Sequence, residues 1–410
     1  MRTREECLML DRSDPLRALR DEFVLDGEQI YLAGNSLGPL SVSARDRIRD
    51  VVDHEWGEGL VGSNNSKGWI DQPLVLGDRL APLIGADRGQ VVVADTLTFL
   101  LAKMIGGALE LQGGRNVVLT DEVNFHSDVY IAQGMATLAN HGVVVKPIDR
   151  NDLNDHLDDR VALVMLTHVD FRTGEMLDMA SVTAAVHAVG ALMLWDLAHS
   201  TGAVPLDLTS ADVDFAAGCG YKYLNGGPGA PAFAYVAPRW QGVLRNPLPG
   251  WLGHARPFAF ESTYESAPGM RAYLTSSPSI IALAGLDGAL TVFERTSMTE
   301  IRAKSLALTD LFIELVHDEF GDAFEVVTPR EHGRRGSQVA LRHEHGYGII
   351  QALIERGVIG DFRAPDICRF GFAPLYLRYV DVYDAVQTLA EVMRSSAHLD
   401  ERFTVRLTVT

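Results

Sequence analysis

Between about residues 90 and 220, short β-branched runs alternate with stretches of helical period, and nothing else in the chain constrains the fold as strongly. Repeated strand–helix–strand units pair as a mainly parallel sheet sandwiched between helices, an α/β architecture. QVVVADT, NVVLTDE, VVVKPID, VALVMLTHV and ALMLWDLAH read as strands. LTFLLAKMIGGALEL, DVYIAQGMATLAN and DMASVTAAVHAVG read as helices, the last two closing near Gly142 and Gly190, where glycine suits a helix end. Such sheets carry their chemistry at the carboxyl ends of the strands. After about residue 290 the pattern changes to long helices with short strands such as QVALRH and ICRFGF, which predicts a smaller α+β domain. The expected division is an N-terminal segment 1–50, a large domain 51–288 and a small C-terminal domain 289–410. A chain of 410 residues is long enough for two cores.

The formal charge of −18, from 36 basic and 54 acidic residues, repels phosphate backbones and anionic headgroups. No nucleic acid and no membrane surface are therefore expected as partners, and a small-molecule substrate is. No run approaches the ~20 apolar residues of a membrane span. The opening MRTREECLML mixes charges where a signal peptide is apolar. Three widely spaced cysteines without a CxxC pair suit a reducing, cytoplasmic setting and suggest no metal site.

The most informative segment is GCGYKYLNGGPGAP, residues 218–231. Lysine is seldom buried, yet Lys222 lies between two tyrosines, after the apolar VDFAAGC and before a glycine-rich turn. Partial desolvation makes a lysine lose its proton more readily, as Schiff-base chemistry requires; the plainer alternative is an exposed loop lysine. Asp196, at the end of an apolar strand in WDLAHS, suits a partner for a protonated pyridine nitrogen, or equally a helix cap or a structural ion pair. His199 suits a cofactor contact or a turn cap. Asp196 and His199 have no third ligand at metal spacing.

Together WDLAHS, YKYLNGGPGAP, THVDFRTG (167–174), NFHSD (124–128), YLAGNSLGP (31–39) and GWLGH (250–254) resemble kynureninases, in that family's order and across residues 30–376. The resemblance implies a fold-type I enzyme of the class V aminotransferase-like superfamily that uses pyridoxal 5'-phosphate. It implies hydrolytic cleavage of the Cβ–Cγ bond of L-kynurenine or 3-hydroxy-L-kynurenine, and a homodimer with active sites near the subunit interface. By the same resemblance, Lys222 matches the lysine that carries the cofactor, Asp196 the ring-nitrogen partner and Phe125 the stacking aromatic. Leu97 and Thr98 match the helix start that holds the phosphate. Tyr221, Trp251 and Ser276 match further cofactor contacts, the last two expected from the partner subunit. Ser127, Asp128, Thr167 and His199 complete the pocket. Arg369 matches the arginine that grips the substrate α-carboxylate with its planar fork. Tyr221 is a candidate proton relay or a phosphate ligand.

The sequence departs from the family pattern at His126, where proline is common, at Asn64, where an aromatic residue or histidine is usual, and at Thr275 and Ser276. All are polar, and a substrate pocket accepting a ring hydroxyl is the expectation. Two rival readings stand beside this one. Gly34 to Gly38 satisfies the G-x-S-x-G pattern of a serine-hydrolase elbow with Ser36 as nucleophile, although Pro39 intervenes where a helix must start. An aminotransferase or a cysteine desulfurase would share the fold, the latter needing a nucleophilic cysteine on a mobile loop.

Overall fold

The computed structural model describes residues 2–25, 27–139 and 142–404. Asn140, the last residue of one expected helix, and the tail beyond Thr404 lie outside that range. The chain opens with α1 (Arg4–Ser13), β1 (Ile30–Tyr31), α2 (Val42–Asp50), α3 (Ser63–Ser66) and α4 (Gln72–Leu80). The large sheet is built from β2 (Val91–Ala94), β3 (Val117–Asp121), β4 (Val144–Ile148), β5 (Val161–Thr167), β6 (Leu192–Asp196), β7 (Phe215–Cys219) and β8 (Ala232–Val236). Between its strands lie α5 (Leu97–Leu111), α6 (His126–Ala139), α7 (Leu153–His156) and α8 (Met179–Ala188), and α9 (Ile280–Phe293) follows. Every residue of β5, β6, β7 and β8 is buried, as central strands covered by helices on both faces must be.

The strand order is β2-β8-β7-β6-β5-β3-β4. β8 alone runs antiparallel to its neighbours, because the chain returns directly from β7 through the Lys222 turn instead of crossing over by a helix. The remaining strands therefore end at one common edge. Leu97, Asn124, Thr167, Asp196 and Lys222 all follow or close a strand at that edge.

The second sheet is wholly antiparallel, in the order β12 (Asp361–Arg363), β13 (Ile367–Gly371), β10 (Gln338–Arg342), β9 (Glu325–Val326). It packs with α10 (Met298–Phe320), α11 (Gly346–Ile354) and α12 (Tyr379–Arg394). A capping box between Ser297 and Glu300 starts α10. The N-terminal segment ties to both units. Arg4 of α1 bonds Asp384 of α12, Ser43 of α2 donates to the Gly288 carbonyl of α9, and β1 pairs with β11 (Val358–Ile359).

One core group is expected to make the fold acid-sensitive. His168, just after β5, is fully buried with Nδ1 2.9 Å from Ser200 Oγ, and burial pushes its imidazole down to about 4. An unfolded histidine takes up its proton near 6.5, so between there and about 4 the unfolded chain binds more protons than the native one. Stability is therefore expected to fall as the pH drops through that window, by roughly 3 kcal/mol from this residue. Urea midpoints measured from pH 7 to 4 check this, and the decline should be shallower in His168→Gln.

Candidate active site

At the common strand edge, Lys222 leaves β7 on a turn that the N-terminal loop fixes from beneath. Gly38 N–H donates to the Tyr221 carbonyl at 2.8 Å. A Cβ at Gly38 would collide with the Lys222 carbonyl and Asn225, so glycine is required for this close approach. The Lys222 amine lies 2.9 Å from His199 Nε2, and 5.8 Å from the centroid of the Tyr221 ring. Burial, then the charges of Lys222, Arg369 and Arg363, push the His199 imidazole well below its ordinary range. That ring is neutral at physiological pH and accepts from the lysine.

Asp196, at the end of β6, accepts from Ala198 N–H at 2.7 Å and lies 3.5 Å from the Thr167 hydroxyl. Thr167 donates to Asn124 at 2.5 Å, which holds the Asn124–Asp128 segment against β5. Asp128, in the first turn of α6, is buried beside Asp196 and shares a hydrogen bond with it. Burial and then the Asp196 charge raise the Asp128 carboxyl well above the carboxylate range, so Asp128 holds the proton. Asp196 is also raised by burial, opposed chiefly by the Lys222 charge. Phe125 stands half-exposed over this corner, edge-on to Phe171 at 5.3 Å and 4.5 Å from the His126 ring. Ser127 sits partly buried between His126 and Asp128.

A cavity of about 300 Å³ opens where α5 begins. Asp95, Thr96, Gly229, Thr275, Ser276 and Ser277 are among its lining residues. Leu97 and Thr98 form the first helical turn, and Thr96 does not cap it with its side chain, so the leading amides remain available to an anion. Among the described residues, buried polar atoms around the site without a hydrogen-bond partner include His199 Nδ1, Thr275 Oγ1 and Asn225 Oδ1. Buried polar groups are nearly always bonded, and an acid pair beside a lysine, together with an open helix N-terminus, fits a phosphorylated cationic ring such as pyridoxal phosphate.

Arg369, on β13, is buried and faces the same region from the small sheet. Its Nε and Nη2 grip Asp361 at 2.7 and 2.5 Å, Nη2 also donates to Ser36 at 2.7 Å, and Nη1 to the Phe171 carbonyl at 2.5 Å. Ser36 in turn donates to Asp361. No helix follows Ser36 before α2, so the strand–serine–helix elbow of a hydrolase is absent here. Cys368 lies inside β13, and Cys7 and Cys219 are equally buried, so no described thiol stands on a mobile loop.

Two expected residues stand apart from this cluster. The Asn64 amide donates to the Val61 carbonyl of its own segment, and Trp251 packs edge-on against Phe258 at 5.6 Å. Among the described residues no hydrogen bond joins either to the Lys222 group. Sequence reasoning missed Asp361, whose signal was only its position eight residues before Arg369, and Ser277, one residue past Ser276. It also missed Gln338, which bonds the Asp170 and Phe171 carbonyls.

Comparison with known proteins gives a consistent picture. The family model described as the kynureninase C-terminal domain matches residues 301–389. A kynureninase of Burkholderia pseudomallei is 50% identical over 416 residues, covering 100% of both chains. One from Pseudomonas fluorescens is 49% identical at the same coverage. Among solved structures, a cystine C–S lyase in complex with cysteine persulfide superposes with a TM-score of 0.78 at 20% identity, covering 89% of this chain and 98% of that one. A cysteine desulfurase from Thermococcus onnurineus gives 0.77 at 16% identity, covering 93% and 97%. At such identities these structures speak for the fold alone.

Proposed function

The chain belongs to the kynureninase family, and on that premise we propose that the Lys222 pocket is where it cleaves its substrate. The protein is a pyridoxal-phosphate-dependent hydrolase of carbon–carbon bonds, converting L-kynurenine or its 3-hydroxy derivative to the aromatic acid and L-alanine. The observation that carries the pocket assignment is the convergence of Lys222, neutral His199 and the Asp196–Asp128 pair at the carboxyl edge of the parallel strands.

Bound there, the cofactor supplies a ring that accepts the electron pair of a breaking bond. Asp196 would hold a proton on the ring nitrogen of the bound cofactor, with Asp128 donating to Asp196 and keeping its charge oriented. Lys222 would be the residue that holds the cofactor and its amine would serve as the base for the α-proton; His199, kept neutral, leaves that amine without a competing cation. The α5 amides, with Leu97 and Thr98, would hold the phosphate, and Thr275 and Ser276 line the adjoining cavity. Burial, then Cys219 and the two acids, raise the Tyr221 phenol, so it stays protonated and serves as a donor at neutral pH. Arg369 receives the α-carboxylate.

A homodimer and a cytoplasmic setting complete the reading. Trp251, Phe258, Phe260 and Phe99 are exposed apolar rings on the single chain, the kind of surface a partner covers. All three cysteines are unpaired, as in a reducing compartment. The polar departures at His126, Thr275 and Ser276 favour the hydroxylated ring. Incubating the purified protein with kynurenine and with 3-hydroxykynurenine, and following the aromatic acid and alanine, tests both parts. Equal amounts of the two products are expected, with the higher kcat/KM for the hydroxylated substrate. A strong preference for the unsubstituted one removes the ring-hydroxyl reading, and no product from either removes the function.

A further inference from the structure

The antiparallel register of β12 and β13 sets Asp361 directly opposite Arg369. Arg363, two residues along β12, shares that face because strand side chains alternate. Asp361 takes the Nε–Nη2 edge of Arg369 in a two-point contact, which fixes the guanidinium plane and leaves the Nη1–Nη2 end toward Phe171 and Ser36. This arrangement also neutralises Arg369. A carboxylate approaching the Arg369–Asp361 pair alone meets no net charge, and one buried acid in the pair repels it.

Arg363 alters the balance. Its Nη2 lies 3.2 Å from both Ser36 Oγ and Asp361 Oδ2, and its side chain keeps 33% of its surface exposed. Two guanidiniums against one carboxylate leave the cluster with one positive charge. Ser36 sits between the two cations, bonded to both and to Asp361. Both arginines also act on buried His199, so the field of the cluster reaches the lysine's neighbour.

We propose that Arg363 is a specificity-determining residue for the substrate α-carboxylate, supplying the uncompensated positive charge while Asp361 serves as the positioning residue that aims Arg369. The proposal rests on the reading of the Lys222 pocket as the kynureninase site, and it predicts discrimination between an acid and its neutral isostere. The test compares the amino-acid substrate with its α-carboxamide in the wild-type holoenzyme, in Arg363→Gln and in Arg363→Lys.

Wild-type enzyme is expected to favour the acid. In Arg363→Gln, kcat/KM for the acid should fall roughly 10- to 100-fold, mostly through KM, while the amide changes little, so the preference collapses. Arg363→Lys, which keeps the charge, should retain most of the preference. Loss of acid and amide activity in equal measure would mark a purely structural role and overturn the proposal. So would an unchanged ratio, or a lysine variant as indiscriminate as the glutamine one. If Arg363→Gln does not fold, Arg363→Met, which keeps the apolar stem, takes its place under the same criteria. Failure of the wild-type enzyme to turn over the acid would instead count against the kynureninase reading, so the two failures are distinct.

Discussion

Lys222→Ala is expected to lower turnover by at least roughly 10³-fold while leaving the fold intact. The large effect follows from one amine doing two jobs, anchoring the cofactor and moving the α-proton, for which no second amine is at hand: Lys103 is committed to Asp95 and the Tyr273 carbonyl, and Lys304 to Asp14 and the Pro374 carbonyl. The structural effect is small because the Lys222 amine is only partly buried and, among the described residues, its hydrogen bond goes to His199. The variant should therefore keep the circular-dichroism spectrum and urea midpoint of the native protein, and lose the visible absorbance of a lysine-linked cofactor together with product formation. Loss of activity with retained absorbance would point to another residue as the anchor.

Asp196→Asn should lower kcat/KM by roughly 10²- to 10³-fold, the scale of removing one preorganised electrostatic partner from a water-excluded site. The substitution is nearly isosteric, and its side-chain oxygen still accepts from Ala198 N–H, so the end of β6 keeps its geometry. What is lost is the negative charge. Its removal also relieves Asp128, whose carboxyl is raised by burial and then by Asp196; in the variant Asp128 ionises more readily and partly replaces the missing charge. Asp128→Asn, which leaves Asp196 ionised, should therefore cost less than Asp196→Asn. Steady-state kinetics on the two single variants checks the order, and the reverse order would transfer the leading role to Asp128.

The legible parts of the molecule are those where local pattern and tertiary role agree. The apolar runs around Val91, Val117, Val161 and Leu192 announce strands because most of their positions are buried. Lys222 and Asp196 stand out because a charge at the end of an apolar strand is costly unless it is used. The direction of β8 was not legible: AFAYV reads as an apolar run in either sense, and only the return through the Lys222 turn makes it antiparallel. Asp361 was hidden for a similar reason. Its three-residue strand carries too little periodicity, and its pairing with Arg369 exists only in the cross-strand register. The sequence around Asn64 matches a position that faces the substrate ring in relatives, and in the single chain its amide bonds the Val61 carbonyl of its own segment.

The central claim is that the ε-amine of Lys222 binds the cofactor covalently, and one measurement addresses it most directly. Borohydride treatment of the holoenzyme, followed by proteolysis and peptide mapping, should place a phosphopyridoxyl group on the peptide containing YKYLNGG, at Lys222. An adduct on a different lysine, or none on this peptide, would contradict the account.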